Sequence, residues 1–154
     1  VGLPVVCAGG IGTPIDFRKA MALGYAGAQL GTRFIATTEC SARPDYKQAI
    51  VDSGASDIVL TERLTGVPVA VINNGYVKRL GLKAGPIARW MLQHRRMKHW
   101  MRTIYALRSR RRLKMDLRAG KGAEEYWQAG ASVDGIHAVQ PAGEIVKEFE
   151  AALN

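Results

Sequence analysis

The sequence predicts an α/β chain built on a parallel strand–helix–strand unit, and three observations predict it. Pro4-Val5-Val6-Cys7-Ala8 is a continuous apolar run ended by Gly9-Gly10, the pattern of a strand buried on both faces. Thr13-Pro14-Ile15-Asp16 opens a helix, since Thr13 suits the cap and Pro14 the first helical position. Ala26 to Leu30 then reads as a second buried strand, with Phe34-Ile35 after an interruption at Gly31-Thr32-Arg33. Strand, glycine turn, helix and strand within about 30 residues make a βαβ crossover, which requires a parallel sheet.

Each element has its own signal. Phe17, Ala20, Met21 and Leu23 recur at helical spacing after Pro14, and Gly24 is the expected stop. Pro44 through Asp52 has a helical pattern that stops at Ser53-Gly54. Ile58 to Asn74 reads only as extended or irregular, with a turn at Thr65-Gly66-Val67-Pro68. From Pro86 to Leu117 a helical stripe runs through Ile87, Trp90, Met97, Trp100, Ile104 and Leu107, and Gly120-Lys121-Gly122 breaks it. A short helix over Ala123 to Gln128, a turn over Gly130 to Gly135 and a helix over Pro141 to Leu153 complete the reading.

Composition narrows the class. The 154 residues are 47% hydrophobic and 23% charged, enough apolar surface for a folded core. No run of about 18 apolar residues occurs, which excludes a transmembrane helix on sequence grounds. There is no basic stretch before Val1-Gly2-Leu3, hence no signal-peptide pattern. The first residues fall inside an expected buried strand, so the expectation is the C-terminal portion of a longer protein. Two parallel strands need neighbours on their edges, and the missing ones are expected upstream. Cys7 and Cys40 are too few for a disulfide scaffold and lack metal-ligand spacing, so a reducing, cytoplasmic setting is expected.

The net charge of +9 is a local property. Arg89 to Lys121 holds 12 of the 22 basic residues against one acid, Asp116, and the remainder of the chain is net −2. A basic helix with a Trp and Met stripe suits nucleic acid or an anionic membrane surface. It equally suits a helix that packs its stripe on the body of the protein and leaves its arginines in solvent, the reading preferred here. Nucleic acid is therefore not the expected partner. An acidic protein partner is a third use of the same face.

The chemistry-bearing motif is Ala8-Gly9-Gly10-Ile11-Gly12, placed after a strand and before a helix. Glycines there let backbone N–H groups approach an anion, and a helix N-terminus favours one. At the end of the next strand stands Gln29-Leu30-Gly31-Thr32. Strand ends of this kind lie side by side, and in an eight-fold barrel the loops after strands 7 and 8 commonly hold a phosphate. The G-x-G-x-x-G spacing of dinucleotide folds is not present.

Pro4 to Ile11, Gly27-Ala28-Gln29-Leu30-Gly31-Thr32-Arg33-Phe34 and Pro44-Asp45-Tyr46-Lys47-Gln48-Ala49 together resemble the nitronate monooxygenase family, formerly 2-nitropropane dioxygenases. That family includes the flavin-type enoyl-acyl-carrier-protein reductases. The resemblance covers residues 1 to about 75, with a second patch from Tyr126 to Ile136. It implies the C-terminal part of a TIM (β/α)8 barrel, strands 7 and 8, followed by a mainly helical C-terminal extension. Residues 1–75 are then the end of an FMN-binding barrel, and 76–154 an extension carrying the basic helix and a turn near the flavin. The cofactor implied is FMN, its phosphate held by groups at Gly10, Gln29, Leu30, Gly31 and Thr32, with the Thr32 hydroxyl as one further donor. Ala131 stands where many members carry Gln. The implied reaction is oxidation of an alkyl nitronate by O2 to a carbonyl compound and nitrite. The alternative is NAD(P)H-dependent reduction of enoyl thioesters or quinones.

The partners expected are a small-molecule substrate, the N-terminal part of the barrel, and a second copy in a homo-oligomer. The family's proton-abstracting histidine belongs to the N-terminal half, so no catalytic residue and no metal ligand is expected within this chain. Cys7 reads as a core residue, and Arg33 as a partner for a phosphate or for an acid. His94, His99 and His137 read as surface residues rather than catalysts.

Overall fold

The computed structural model describes residues 2–63, 68–83, 103, 107 and 126–153. The chain divides into two compact units, one of Val1–Ile58 with Ala129–Asn154 and the other of Val59–Gln128. Among the described residues no helix is long and apolar enough to cross a membrane.

The first unit contains the expected crossover. β1 (Val6–Ala8) lies parallel to β2 (Gly27–Gln29), with Val6 opposite Gly27, Cys7 opposite Ala28 and Ala8 opposite Gln29. The connecting helix α1 (Pro14–Ala22) begins with a capping box. Asp16 N–H donates to the Thr13 hydroxyl at 3.2 Å, and Thr13 N–H donates back to the Asp16 carboxylate at 3.1 Å. Gly24, at φ +90, takes the left-handed conformation that ends the helix and turns the chain into β2.

The core of this unit is Ile11, Ala20, Ile145 and Phe149, with Cys7, Phe17, Met21, Tyr25, Ala28, Leu30 and Phe34 packed around it. Ile145 and Phe149 come from the last helix, α5 (Ala142–Ala151), and the Phe149 ring meets Phe17 at a centroid distance of 5.6 Å. The expected burial of β1 on both faces is corrected here. Cys7 packs on the core, but Val6, on the opposite face of the strand, is 56% exposed, and Val5, just before the strand, is 58% exposed. Side chains alternate along a strand, and no described element covers the face opposite Cys7.

Phe34-Ile35 also departs from expectation. These residues form a single helical turn, α2 (Thr32–Ile35), because the Gly31 carbonyl accepts from Phe34 N–H at 3.0 Å and from Ile35 N–H at 3.2 Å. The helix α3 (Pro44–Asp52) runs as its pattern predicts, with Ser53 at its end donating to the Ala49 carbonyl at 2.6 Å. Beyond α2, Thr37 bridges Gln140 in parallel and Thr38 N–H donates to the Gln140 carbonyl at 3.1 Å. The segment 36–39 is thereby tied to the approach to α5.

In the second unit β3 (Ile58–Thr61) and β4 (Val69–Ile72) form a two-stranded sheet in a region the sequence leaves as extended or irregular. α4 (Gly75–Leu80) follows, its N–H of Val77 capped by the Asn74 side chain at 2.9 Å. Val71, Ile72 and Val77 are buried together with Thr61. The short helix expected over Ala123 to Gln128 is corrected at its described end. Trp127 offers its carbonyl to Ile72 N–H at 2.9 Å and Gln128 bridges Val71 in the antiparallel sense, so this end pairs with β4 instead of coiling. The turn at 65–67 and nearly all of the basic segment 89–121 lie outside the described residues, where only Thr103 and Leu107 are assigned, both helical.

Candidate functional site

Three glycine-bearing turns meet in the first unit. The first is Gly9 to Gly12, between β1 and α1. Gly9 and Gly10 have φ of +88° and +74°, values that side chains with a Cβ rarely adopt, and a Cβ at either would meet nothing within 4 Å. The space a side chain would fill at either position is therefore empty. The second turn is Gly31-Thr32, between β2 and α2, where Gly31 is exposed and likewise open around its Cα. The third is the short 3-10 helix Ala131–Gly135 with Gly130 before it.

The turns are joined by contacts that tolerate no added carbon. A Cβ on Gly12 would overlap the Ser132 carbonyl, and a Cβ on Gly135 would come within 2.9 Å of the Gly12 carbonyl carbon. On the other side, Gly130 N–H donates to the Thr32 hydroxyl oxygen at 3.1 Å. The Asp134 carboxylate accepts from Ala55 N–H at 2.5 Å and anchors the third turn to residues after α3.

Electrostatics limits where an anion can sit. The donors that lead into α1 are already used: the Asp16 carboxylate accepts from Thr13 N–H, from Gly12 N–H at 3.4 Å and from the Thr13 hydroxyl at 2.7 Å. Burial raises the Asp16 pKa, but these hydrogen bonds, with Lys19 nearby, outweigh it and hold the carboxyl below the usual carboxylate range. A resident negative charge at that helix end opposes a second one. The helix-dipole contribution expected of α1 is therefore spent internally, which leaves Gly9, Gly10, Gly31 and Thr32 as the open groups.

The sequence-predicted residues are distributed accordingly. Gly10, Gln29 and Gly31 are exposed, Thr32 is half-buried, and Leu30 packs its side chain on the core and so offers only its main chain. Arg33 is 4% exposed and turned away from the glycine turns. Its guanidinium donates to the Gln140 side-chain oxygen and to the Ala138 carbonyl at 3.5 Å, so its role is to hold 138–140. Burial lowers its pKa, partly offset by Glu148. Cys7 and Cys40 are free, half-buried thiols, and His137 is exposed. His94 and His99 lie outside the described residues. Sequence reasoning placed Gly12 in the first motif and, by resemblance, 130–135 in a turn near the flavin; it did not see that Gly135 packs on Gly12 or that Gly130 bonds Thr32.

The family model for nitronate monooxygenase matches residues 1–151. The chain belongs to the nitronate monooxygenase family. A probable nitronate monooxygenase of Staphylococcus saprophyticus is 38% identical over 80 residues, 52% of this chain and 22% of that protein. One from Staphylococcus haemolyticus is 33% identical over 94 residues, 61% of this chain and 26% of that protein. The chain thus spans about a quarter of the length of these relatives. Among solved structures, the nitroalkane oxidase of Streptomyces ansochromogenes superposes with a TM-score of 0.72 at 29% identity, covering 99% of this chain and 40% of that one. FabK of Thermotoga maritima gives a TM-score of 0.65 at 27% identity, covering 99% of this chain and 45% of that one. Membership of the nitronate monooxygenase family and the likeness to these structures make a mixed α/β architecture the frame for the three turns.

Proposed function

We propose that this chain is the phosphate-holding part of an FMN-dependent oxidoreductase that converts alkyl nitronates with O2 into a carbonyl compound and nitrite. β1 and β2 then correspond to strands 7 and 8 of a TIM barrel, whose C-terminal face is where phosphates of cofactors commonly bind. The observation that supports the reading most is the convergence of the Gly9–Gly12, Gly31–Thr32 and Gly130–Gly135 turns, with open backbone at Gly9, Gly10 and Gly31.

The residues fit a phosphate monoester. Main-chain groups of Gly10 and of Gln29 to Thr32, with the Thr32 hydroxyl, would hold the phosphate in this reading. FMN supplies the electron transfer; the protein's part is to bind and orient it. The chain's own titratable groups near the turns are committed to structure, Asp16 to its cap and Arg33 to Gln140, so this reading places no proton-transfer group here. Gln29, exposed at the end of β2, is a further polar side chain beside the turn.

Gly31→Glu in the full-length protein tests the reading, because the added side chain enters open space and carries a negative charge to the expected phosphate position. The expected result is FMN lost on purification, with a melting temperature equal to that of the wild type stripped of FMN. A variant that keeps its FMN contradicts the assignment. Nitrite formed from an alkyl nitronate separates the proposed reaction from reduction of enoyl thioesters or quinones, which NAD(P)H oxidation would report.

A further inference from the structure

Asn74-Gly75, where β4 gives way to α4, carries chemistry that the flavin reading does not use. Asn74 is half-buried and caps the helix, its side-chain oxygen accepting from Val77 N–H at 2.9 Å. Gly75 is the first helical residue and is exposed, so its N–H is one of those that find no partner within the helix. A Cβ at Gly75 would meet, among the described residues, the Arg79 guanidinium at 3.7 Å, so a cation stands close to this glycine. That cation favours the deprotonated Gly75 nitrogen, and the Val77 N–H polarises the Asn74 side-chain carbonyl. A nucleophile and its electrophile are thus prepared on adjacent residues.

We propose that Asn74 is a site of spontaneous deamidation, assisted by Arg79 and admitted by opening of α4. The Gly75 nitrogen, its proton lost to hydroxide, bonds to Asn74 Cγ. The Cγ–Nδ2 bond then breaks, and Nδ2 leaves as ammonia after taking a proton from water. Water adds to either carbonyl of the succinimide ring so formed and opens it to aspartate or isoaspartate at position 74. At the Asn74 ψ of 176° the side-chain Cβ and the Gly75 nitrogen are gauche about the Cα–C bond, whereas the ring needs them nearly eclipsed. Closure therefore waits on opening of the first turn, which a helix of 6 residues allows readily. The aspartate product keeps the cap and brings a negative charge to the helix start, with Lys78 and Arg79 in the last turn. The isoaspartate product routes the backbone through an extra carbon and loses the cap.

The test holds the full-length protein at mildly acid and mildly alkaline pH and maps its peptides by mass, with enzymatic methylation to mark isoaspartate. The peptide containing 74–75 is expected to gain the mass of OH in place of NH2, faster at alkaline pH, and to accept methyl groups. Asn73, followed by Asn74 instead of glycine, is expected to stay unchanged. Gly75→Ala, whose added carbon has room beside Arg79, should suppress the conversion in folded and in urea-unfolded protein alike. Arg79→Gln should slow it several-fold in the folded protein and leave the rate in urea unaltered, a separation that the dipeptide alone would not give. An Asn74 that stays intact in the folded protein at alkaline pH, while converting in urea, overturns the proposal. Conversion of Gly75→Ala at the wild-type rate does the same. Equal rates for folded Arg79→Gln and wild type overturn the part assigned to Arg79.

Discussion

Gly135 and Gly12 share a contact in which each backbone occupies the place of the other's missing side chain. A Cβ on Gly135 would lie 2.5 Å from the Thr13 methyl and 2.9 Å from the Gly12 carbonyl carbon, and the latter cannot swing aside as a side chain can. Gly135→Ala should therefore destabilise the protein by about 1–3 kcal/mol, the usual cost of forcing atoms into a packed site, or displace the third turn. Urea denaturation checks this; a midpoint unchanged from wild type contradicts it. Gly31→Ala, with open space around its Cα, is the control that should unfold with the wild type. The two glycines look alike in the sequence. What separates them is a neighbour more than 100 residues away, which local spacing does not report. The same distance hid the partner of the Thr32 hydroxyl and turned Arg33, a natural anion ligand by type, into a brace for residues 138–140.

Among the elements, α5 is held at its start by a side chain from far back in the chain. Both carboxylate oxygens of Glu39 accept from Ala142 N–H, at 2.9 and 3.0 Å, at the end of a helix where a negative charge is favoured. That bond, with lesser help from the Thr38 hydroxyl and Lys47, holds the Glu39 carboxyl below its ordinary range. A carboxyl so depressed stabilises the fold at pH values above its unfolded pKa, and the stabilisation is lost as pH falls through the lower folded value. Asp16, depressed by its own cap, acts in the same acid window. Glu39→Gln should lower the melting temperature at neutral pH and flatten the loss of stability between about pH 5 and pH 3. Identical pH profiles for the two proteins would contradict this. The helices α1 and α3 were legible because caps, prolines and glycine stops are local features. Phe34-Ile35 was misread as strand because its apolar pair fits either period, and the Gly31 carbonyl decided the outcome. Tyr126 to Gln128 failed for the opposite reason: pairing with β4 overrode a weak helical pattern.

At the scale of the whole molecule, the chain belongs to the nitronate monooxygenase family along nearly its full length, while spanning only part of its relatives. The parallel βαβ unit and the glycine turns after each strand were visible in the sequence, because strand, turn and helix follow one another directly. The turn over 130–135 was expected near the flavin from the resemblance, but the contacts that seat it, Gly135 on Gly12 and Gly130 on Thr32, are created by the fold and leave no local signal. The exposed Val6 of β1 belongs to the same lesson, as an apolar run predicts an apolar environment without naming what supplies it. On the proposed function the three turns hold the phosphate of FMN, so the full-length protein binds this cofactor. This claim is tested most directly by the absorption spectrum of the full-length protein purified without added cofactor, with the released chromophore identified after heat denaturation. Flavin bands and released FMN are expected. A colourless protein that also takes up no added FMN would contradict it.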